Sequence, residues 1–218
     1  VSGKGLPEPV VPADNPMSSE KVALGRFLFY DCRLSGNGTT SCGSCHMQSR
    51  AFTDGRAQSV GSTGQETDRS APTLTNVVYN RTLAWANPAL RSLEQQILVP
   101  LFNQHPIEMG VTDENSAEII DRLRADERYT EMFAAAFPDA DDPFTWDNVK
   151  MAITTFERTL VSGDSTYDRA LRGTATLTAS EQRGMDLFFG ERAECHHCHN
   201  GINMADQQQW VGSFDERL

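Results

Sequence analysis

The sequence has no uninterrupted apolar run approaching the roughly 20 residues needed to cross a bilayer, and charged side chains break its longest helical candidates. Basic residues are also scarce: 19 Lys and Arg stand against 30 Asp and Glu, a formal charge of -11. Such a surface repels phosphate backbones and anionic headgroups, so neither nucleic acid nor a membrane surface is an expected partner. The chain opens Val1-Ser2-Gly3-Lys4-Gly5 with no charged-then-apolar leader, which leaves an export signal either absent or removed. Cysteines number only five, and an odd count fits a disulfide framework poorly. No convincing series of alternating strands occurs, so the expected fold class is mostly α. The apolar content, 39% over 218 residues, is ordinary for a globular chain and excludes disorder of the whole. The length allows one or two compact units and forbids a long repeat array.

The first 17 residues hold Pro7, Pro9, Pro12 and Pro16 among small and polar side chains, a composition that favours an extended surface arm. Ser18 and Ser19 can cap a helix in which Val22, Leu24, Phe27 and Leu28 recur at helical spacing up to Tyr30, before the loop Ser35-Gly36-Asn37-Gly38. Residues 47–72 show no sustained period and read as a long irregular loop of the kind that has a functional reason. Pro72 can start a short helix through Asn80, and another is expected over Leu93 to Leu98. A longer helix is expected from Ser116 through Phe137, with Ile119, Ile120, Leu123, Tyr129 and Phe133 as its apolar stripe and Pro138 as its stop. Trp146, Val149, Ile153, Phe156 and Leu160 mark a second long amphipathic helix that could lead from one lobe to the next. Thr178 and Glu181 form a capping box for a helix carrying Met185, Leu187 and Phe188, which delivers the chain to Cys195. Each half thus repeats one plan: a helix, a loop, then a cysteine pair followed at once by histidine.

Those pairs carry the chemistry. Cys42-Gly43-Ser44-Cys45-His46 and Cys195-His196-His197-Cys198-His199 are both C-x-x-C-H, the attachment signature of c-type haem. Two thiols separated by two residues can form thioethers with the vinyl groups on one porphyrin edge, and the following histidine places an imidazole nitrogen under the iron. A tetrahedral zinc site built from the two pairs is the competing reading, but a histidine at the same place in both pairs favours two haems. Covalent haem c in turn implies an exported protein. Whether such a protein is a carrier or an enzyme depends on whether an iron keeps an open sixth position. Of five histidines, His46 and His199 are proximal and His196 and His197 lie inside the second motif. That leaves His105, which stands beside a proline as surface and packing residues do. Met47 adjoins His46 and points the wrong way for the opposite face, so the first iron is expected to lack a strong sixth ligand. Glu108, in the short apolar stretch Pro106 to Gly110, is either a surface glutamate or a carboxylate over that open face, where it could move a proton between peroxide oxygens. Trp85 is either a core residue or an electron relay between two haems.

These residues, in this order, resemble the bacterial di-haem cytochrome c peroxidase family and its MauG branch. The resemblance runs from Leu24-Gly25-Arg26 through the first motif, Ala71-Pro72-Thr73-Leu74, Trp85, Pro106 to Gly110 and Phe156-Glu157-Arg158-Thr159-Leu160 to the second motif. It implies two cytochrome c-like haem-binding lobes: after the arm at 1–17, a first, peroxidatic lobe over 18–143 and the start of a second, electron-transfer lobe over 144–218. By the same resemblance Glu108 is the distal acid and Trp85 the bridging tryptophan. Where the peroxidase branch has a distal histidine this chain offers Ser62, which looks like the MauG branch with its first haem open at rest. Ser70 stands where the family has an asparagine that helps bind a calcium ion between the lobes, which weakens the calcium expectation without removing it. The family continues well past the second motif and places there the sixth ligand of the second haem, so the chain is expected to be a fragment or one piece of a nicked protein. The implied activity is that of an exported, periplasmic di-haem oxidoreductase. It would activate hydrogen peroxide at the first haem, hold the oxidising equivalents across both haems in a high-valent state, and oxidise a Trp or Tyr of a partner protein. The alternatives are a peroxidase fed electrons by a small cytochrome or copper protein, and a non-enzymatic di-haem electron carrier.

Overall fold

The computed structural model describes residues 6–84 and 89–205. Among them the regular structure is helical: α1 (Ser19–Tyr30), α2 (Cys42–Cys45), α3 (Leu93–Gln96), α4 (Leu98–Phe102), α5 (Ser116–Arg124), α6 (Glu127–Ala136), α7 (Trp146–Glu157), α8 (Thr166–Leu171) and α9 (Ala179–Phe188). The mostly α class is therefore what is found, and the β pairing among the described residues is confined to isolated bridges, such as those of Met47 with Thr53, Val60 with Glu66 and Gln104 with Ile107. None of the described helices is long and apolar enough to cross a membrane.

Side-chain caps set several helix starts. Ser18, Thr145 and Thr178 each accept from a backbone N–H in the first turn of α1, α7 and α9, and Glu181 returns the bond to Thr178 N at 2.7 Å. The core forms where α7 lies along α1. Leu24, Leu28 and Phe29 pack with Val149, Ala152, Ile153 and Phe156, and Phe133 and Tyr129 of α6 join the same cluster. The helices meet closely because residue 25 is glycine: a Cβ there would overlap the Ala152 carbonyl. The proline-rich arm has no helix or strand over residues 6–17, yet it is anchored. Tyr79 donates to the Pro7 carbonyl, and the buried Asn15 donates to Glu94 and to the Met151 carbonyl.

Three expectations from the sequence are corrected. The stretch from Pro72 to Asn80 holds only a 3₁₀ turn at Val77–Tyr79, because its polar groups are engaged elsewhere. Asn76 is left-handed, its amide bonds Leu160 O, and its side chain pairs with both the N–H and the C=O of Ser162. Thr73 and Thr75 both donate to Ala51 O. The long helix expected over 116–137 is two helices, because Asp126 adopts an extended conformation and its carboxylate caps Arg128 N while also pairing with Arg33 and Arg128. The helix over 93–98 ends at Gln96 and a second begins at Leu98; Pro100 has no N–H to return to the Gln96 carbonyl. From residue 164 to 205 no described residue is fully buried, and Leu171, Leu187 and Phe189 are exposed.

Candidate haem sites

The first cysteine pair sits in α2, one helical turn in which positions i and i+3 share a face. Ser44 Oγ accepts from Ser41 N at 3.0 Å and holds the start of that turn. Neither Cys42 nor Cys45 is in a disulfide. Burial pushes both thiols up, so in the folded chain they are held in the neutral form. The chain then reverses through residues 47–53. Met47 N bonds Thr53 O, Phe52 N bonds Met47 O, and Ala51 and Phe52 take left-handed conformations. That reversal brings the Phe52 carbonyl to 2.8 Å from His46 Nδ1. A carbonyl can only accept, so Nδ1 carries the proton and Nε2 keeps its lone pair for a metal. Burial also pushes the imidazolium down, favouring the neutral, ligating form.

The second motif repeats this arrangement. Cys195–His197 form a 3₁₀ turn, His199 N bonds Cys195 O as His46 N bonds Cys42 O, and His199 Nδ1 meets the Met204 carbonyl at 2.9 Å. In both halves the imidazole following the cysteine pair is oriented by a carbonyl a few residues downstream. Cys195 and Cys198 are likewise not in a disulfide.

A cavity of about 440 Å³ opens beside α2. Cys42, Cys45 and His46 line one part of it, Pro106 and Glu108 another, and Ile97 and Leu101 supply apolar wall. Two free thiols and an oriented imidazole on one apolar cavity are the donor set of a covalently held haem, and the residues fit that group. Glu108 reaches this cavity from a loop that is fastened at several points. Ser62 N donates to the Glu108 carbonyl at 2.7 Å, Gln65 Oε1 accepts from Ile107 N, and Gly61 packs so tightly on Ile107 that a Cβ would overlap its carbonyl. Burial raises the Glu108 carboxyl above its ordinary range.

His105 is exposed and lies outside the cavity wall, as does Met47; His46 is the only histidine among the described lining residues. Ser62 uses its backbone on the Glu108 loop and on Asn37, and its side chain is not part of the wall. Ser70 is on the wall, and among the described residues no group of three or more His, Cys, Asp or Glu gathers as a cation site. Trp85 lies outside the described residues. The sequence reading gave no role to Glu157, which also lines the cavity; its only signal was its place in Phe156-Glu157-Arg158-Thr159-Leu160.

Residues 19–176 match the family described as di-haem cytochrome c peroxidase. Among curated relatives, the methylamine utilization protein MauG of Methylorubrum extorquens is 37% identical over 196 residues, 89% of this chain and 53% of that protein. The cytochrome c551 peroxidase of Pseudomonas aeruginosa is 34% identical over 206 residues, 94% of this chain and 57% of that one. The chain thus spans about half the length of the curated relatives it matches. Among solved structures, a MauG-like protein associated with microbial copper homeostasis superposes with a TM-score of 0.94 at 55% identity, covering 98% of this chain and 61% of that one.

Proposed function

Because the chain belongs to the di-haem cytochrome c peroxidase family, whose cofactors are two covalently bound haem c groups, we propose that it forms the peroxide-activating half of an exported di-haem oxidoreductase of the MauG-like kind. The acceptor of the oxidising equivalents is a Trp or Tyr side chain of a partner protein. One observation carries the reading: Glu108 faces the same cavity as His46, and no second histidine lines that cavity among the described residues. Haem iron bound at His46 Nε2 supplies the redox chemistry toward peroxide.

The chain's own residues do the rest. Cys42 and Cys45 fix the porphyrin edge, and the Phe52 carbonyl orients His46. Ile97 and Leu101 keep the cavity apolar, which excludes bulk water and raises the proton affinity of Glu108. Its carboxylate takes the proton of one peroxide oxygen and returns it to the other, the general acid–base step that heterolysis of an O–O bond requires. Trp85 serves as relay toward the second haem at Cys195, Cys198 and His199. The calcium ion of the family is assigned to the region of Ser70.

The peroxidase fed by a small cytochrome or copper protein has its own support in the relatives named cytochrome c peroxidase. The two readings separate in the full-length protein with both haems attached. In the oxidised state the first haem is expected to be high-spin and to react with peroxide without prior reduction, with a candidate partner protein then gaining oxidised Trp or Tyr. A low-spin first haem that responds to peroxide only after one-electron reduction would move the protein to the peroxidase reading, and no response in either state to the electron carrier.

A further inference from the structure

Glu157, the last residue of α7, is 6% exposed, and its Oε2 atom is buried with no hydrogen-bond partner. An unpartnered carboxylate is costly inside a protein unless it is neutral or meets a counter-charge. The adjacent cation serves only in part. Arg158 spends its Nη2 on Glu94, at 2.6 and 2.9 Å to the two carboxylate oxygens, and Glu94 is held in turn by Asn15 and Thr154. Glu94 offsets much of the Arg158 charge, so Glu157 is compensated only in part. What Glu157 does face is the first haem cavity, whose wall it shares with Cys42, Cys45 and His46.

We propose that Glu157 is the redox-linked proton site of the first haem, binding one proton when that iron is reduced and releasing it when the iron is oxidised. In the reduction half, a one-electron donor is oxidised, ferric iron becomes ferrous, and one solvent proton binds the Glu157 carboxylate. Charge near the cavity is thereby conserved. The physical reason is Coulombic: reduction removes one positive charge from a poorly screened site, so a nearby carboxyl binds its proton more tightly in the reduced state.

The surroundings place this titration in a usable range. Burial raises Glu157 to about 8, Arg158 opposes the rise and Glu94 adds to it. From α2 the group facing it is Cys42, which no longer titrates once its sulfur is a thioether. From α1, Lys21 joins the ionic cluster through Asn15 and through the charge of Arg158. Glu108 shares the cavity from the 106–110 loop, and the His46 Nδ1 proton is committed to the Phe52 carbonyl.

The test is a spectroelectrochemical titration of the first haem in the full-length protein, from about pH 6 to about pH 10. Peroxide is not used, so the result is independent of the activity proposed above. The wild-type potential is expected to fall as pH rises, approaching a tenfold change in the reduction equilibrium per pH unit, about 59 mV for one electron. Glu157→Gln is expected to flatten this dependence while keeping haem content, and Glu157→Asp, which keeps a carboxyl, to retain it over a displaced pH range. A pH-independent wild-type potential overturns the proposal without any variant. So does an unchanged slope in Glu157→Gln, or a slope abolished by Glu108→Gln and not by Glu157→Gln.

Discussion

A carboxyl group moved from water into an apolar cavity binds its proton more tightly, because the charged form loses more solvation than the neutral one. Glu108 is in that position, and the sign of the shift fixes how activity should depend on pH. The proton-accepting form is the carboxylate, so peroxide activation should fall as pH drops through the raised pKa, at a higher pH than for an ordinary glutamate. Glu108→Gln should remove that acid limb and slow the reaction by about 10²–10⁴-fold, the usual contribution of a positioned acid–base group. Stopped-flow mixing of the full-length protein with peroxide across a pH series measures both effects. An unaltered rate would reduce Glu108 to a wall residue.

Between elements, two close backbone approaches run through glycine. Residue 25 lets the α1 backbone rest on Ala152 of α7, and the helices would have to separate to admit a methyl group. Overpacking of this kind costs about 1–3 kcal/mol, so Gly25→Ala should lower the unfolding midpoint in guanidinium, with haem attachment falling alongside because α2 is built against α1. Gly61→Ala belongs to the same physics with a different readout. Its methyl would meet the Ile107 carbonyl, one residue from Glu108, on a loop tied by Ser62 N and Gln65. The expected outcome is a folded, haem-loaded protein whose peroxide reaction is slowed as in Glu108→Gln, since the carboxyl is displaced and not removed. Normal kinetics in Gly61→Ala would show that the loop tolerates the shift.

At the scale of the whole molecule, the two C-x-x-C-H sites share one local design, yet their surroundings differ. The first is walled by residues of α2, α4 and the end of α7 together with loop residues such as Val60, Thr67 and Glu108, whereas no described residue from 164 to 205 is fully buried. The chain covers 53% of one relative and 57% of another, so communication between the haems is tested in the full-length protein. There, Trp85→Phe should preserve the peroxide reaction at the first haem and suppress oxidation of the second, because phenylalanine keeps the bulk but is much harder to oxidise than indole. Rapid-scan spectra of both haems after peroxide addition read the two steps separately. Second-haem oxidation at the wild-type rate would leave Trp85 a packing residue.

What the sequence determined by itself is whatever is encoded within a turn or two of chain. The haem-attaching triplets are legible because thioether and axial ligation need a fixed spacing of three side chains. The starts of α1 and α9 are legible because a cap is a contact between residues three apart. The break at Asp126 was also local, but its carboxylate is held in part by Arg33, 93 residues away, and no periodicity records that. The failed helix after Pro72 has the same cause, since Asn76 is paired with Ser162. Only the tertiary structure could place Glu157 beside Cys42, bind Arg158 to Glu94 and so leave that carboxyl only partly compensated. The proton affinity of a buried group is set by desolvation and by charges brought near it, and both are properties of the packed chain.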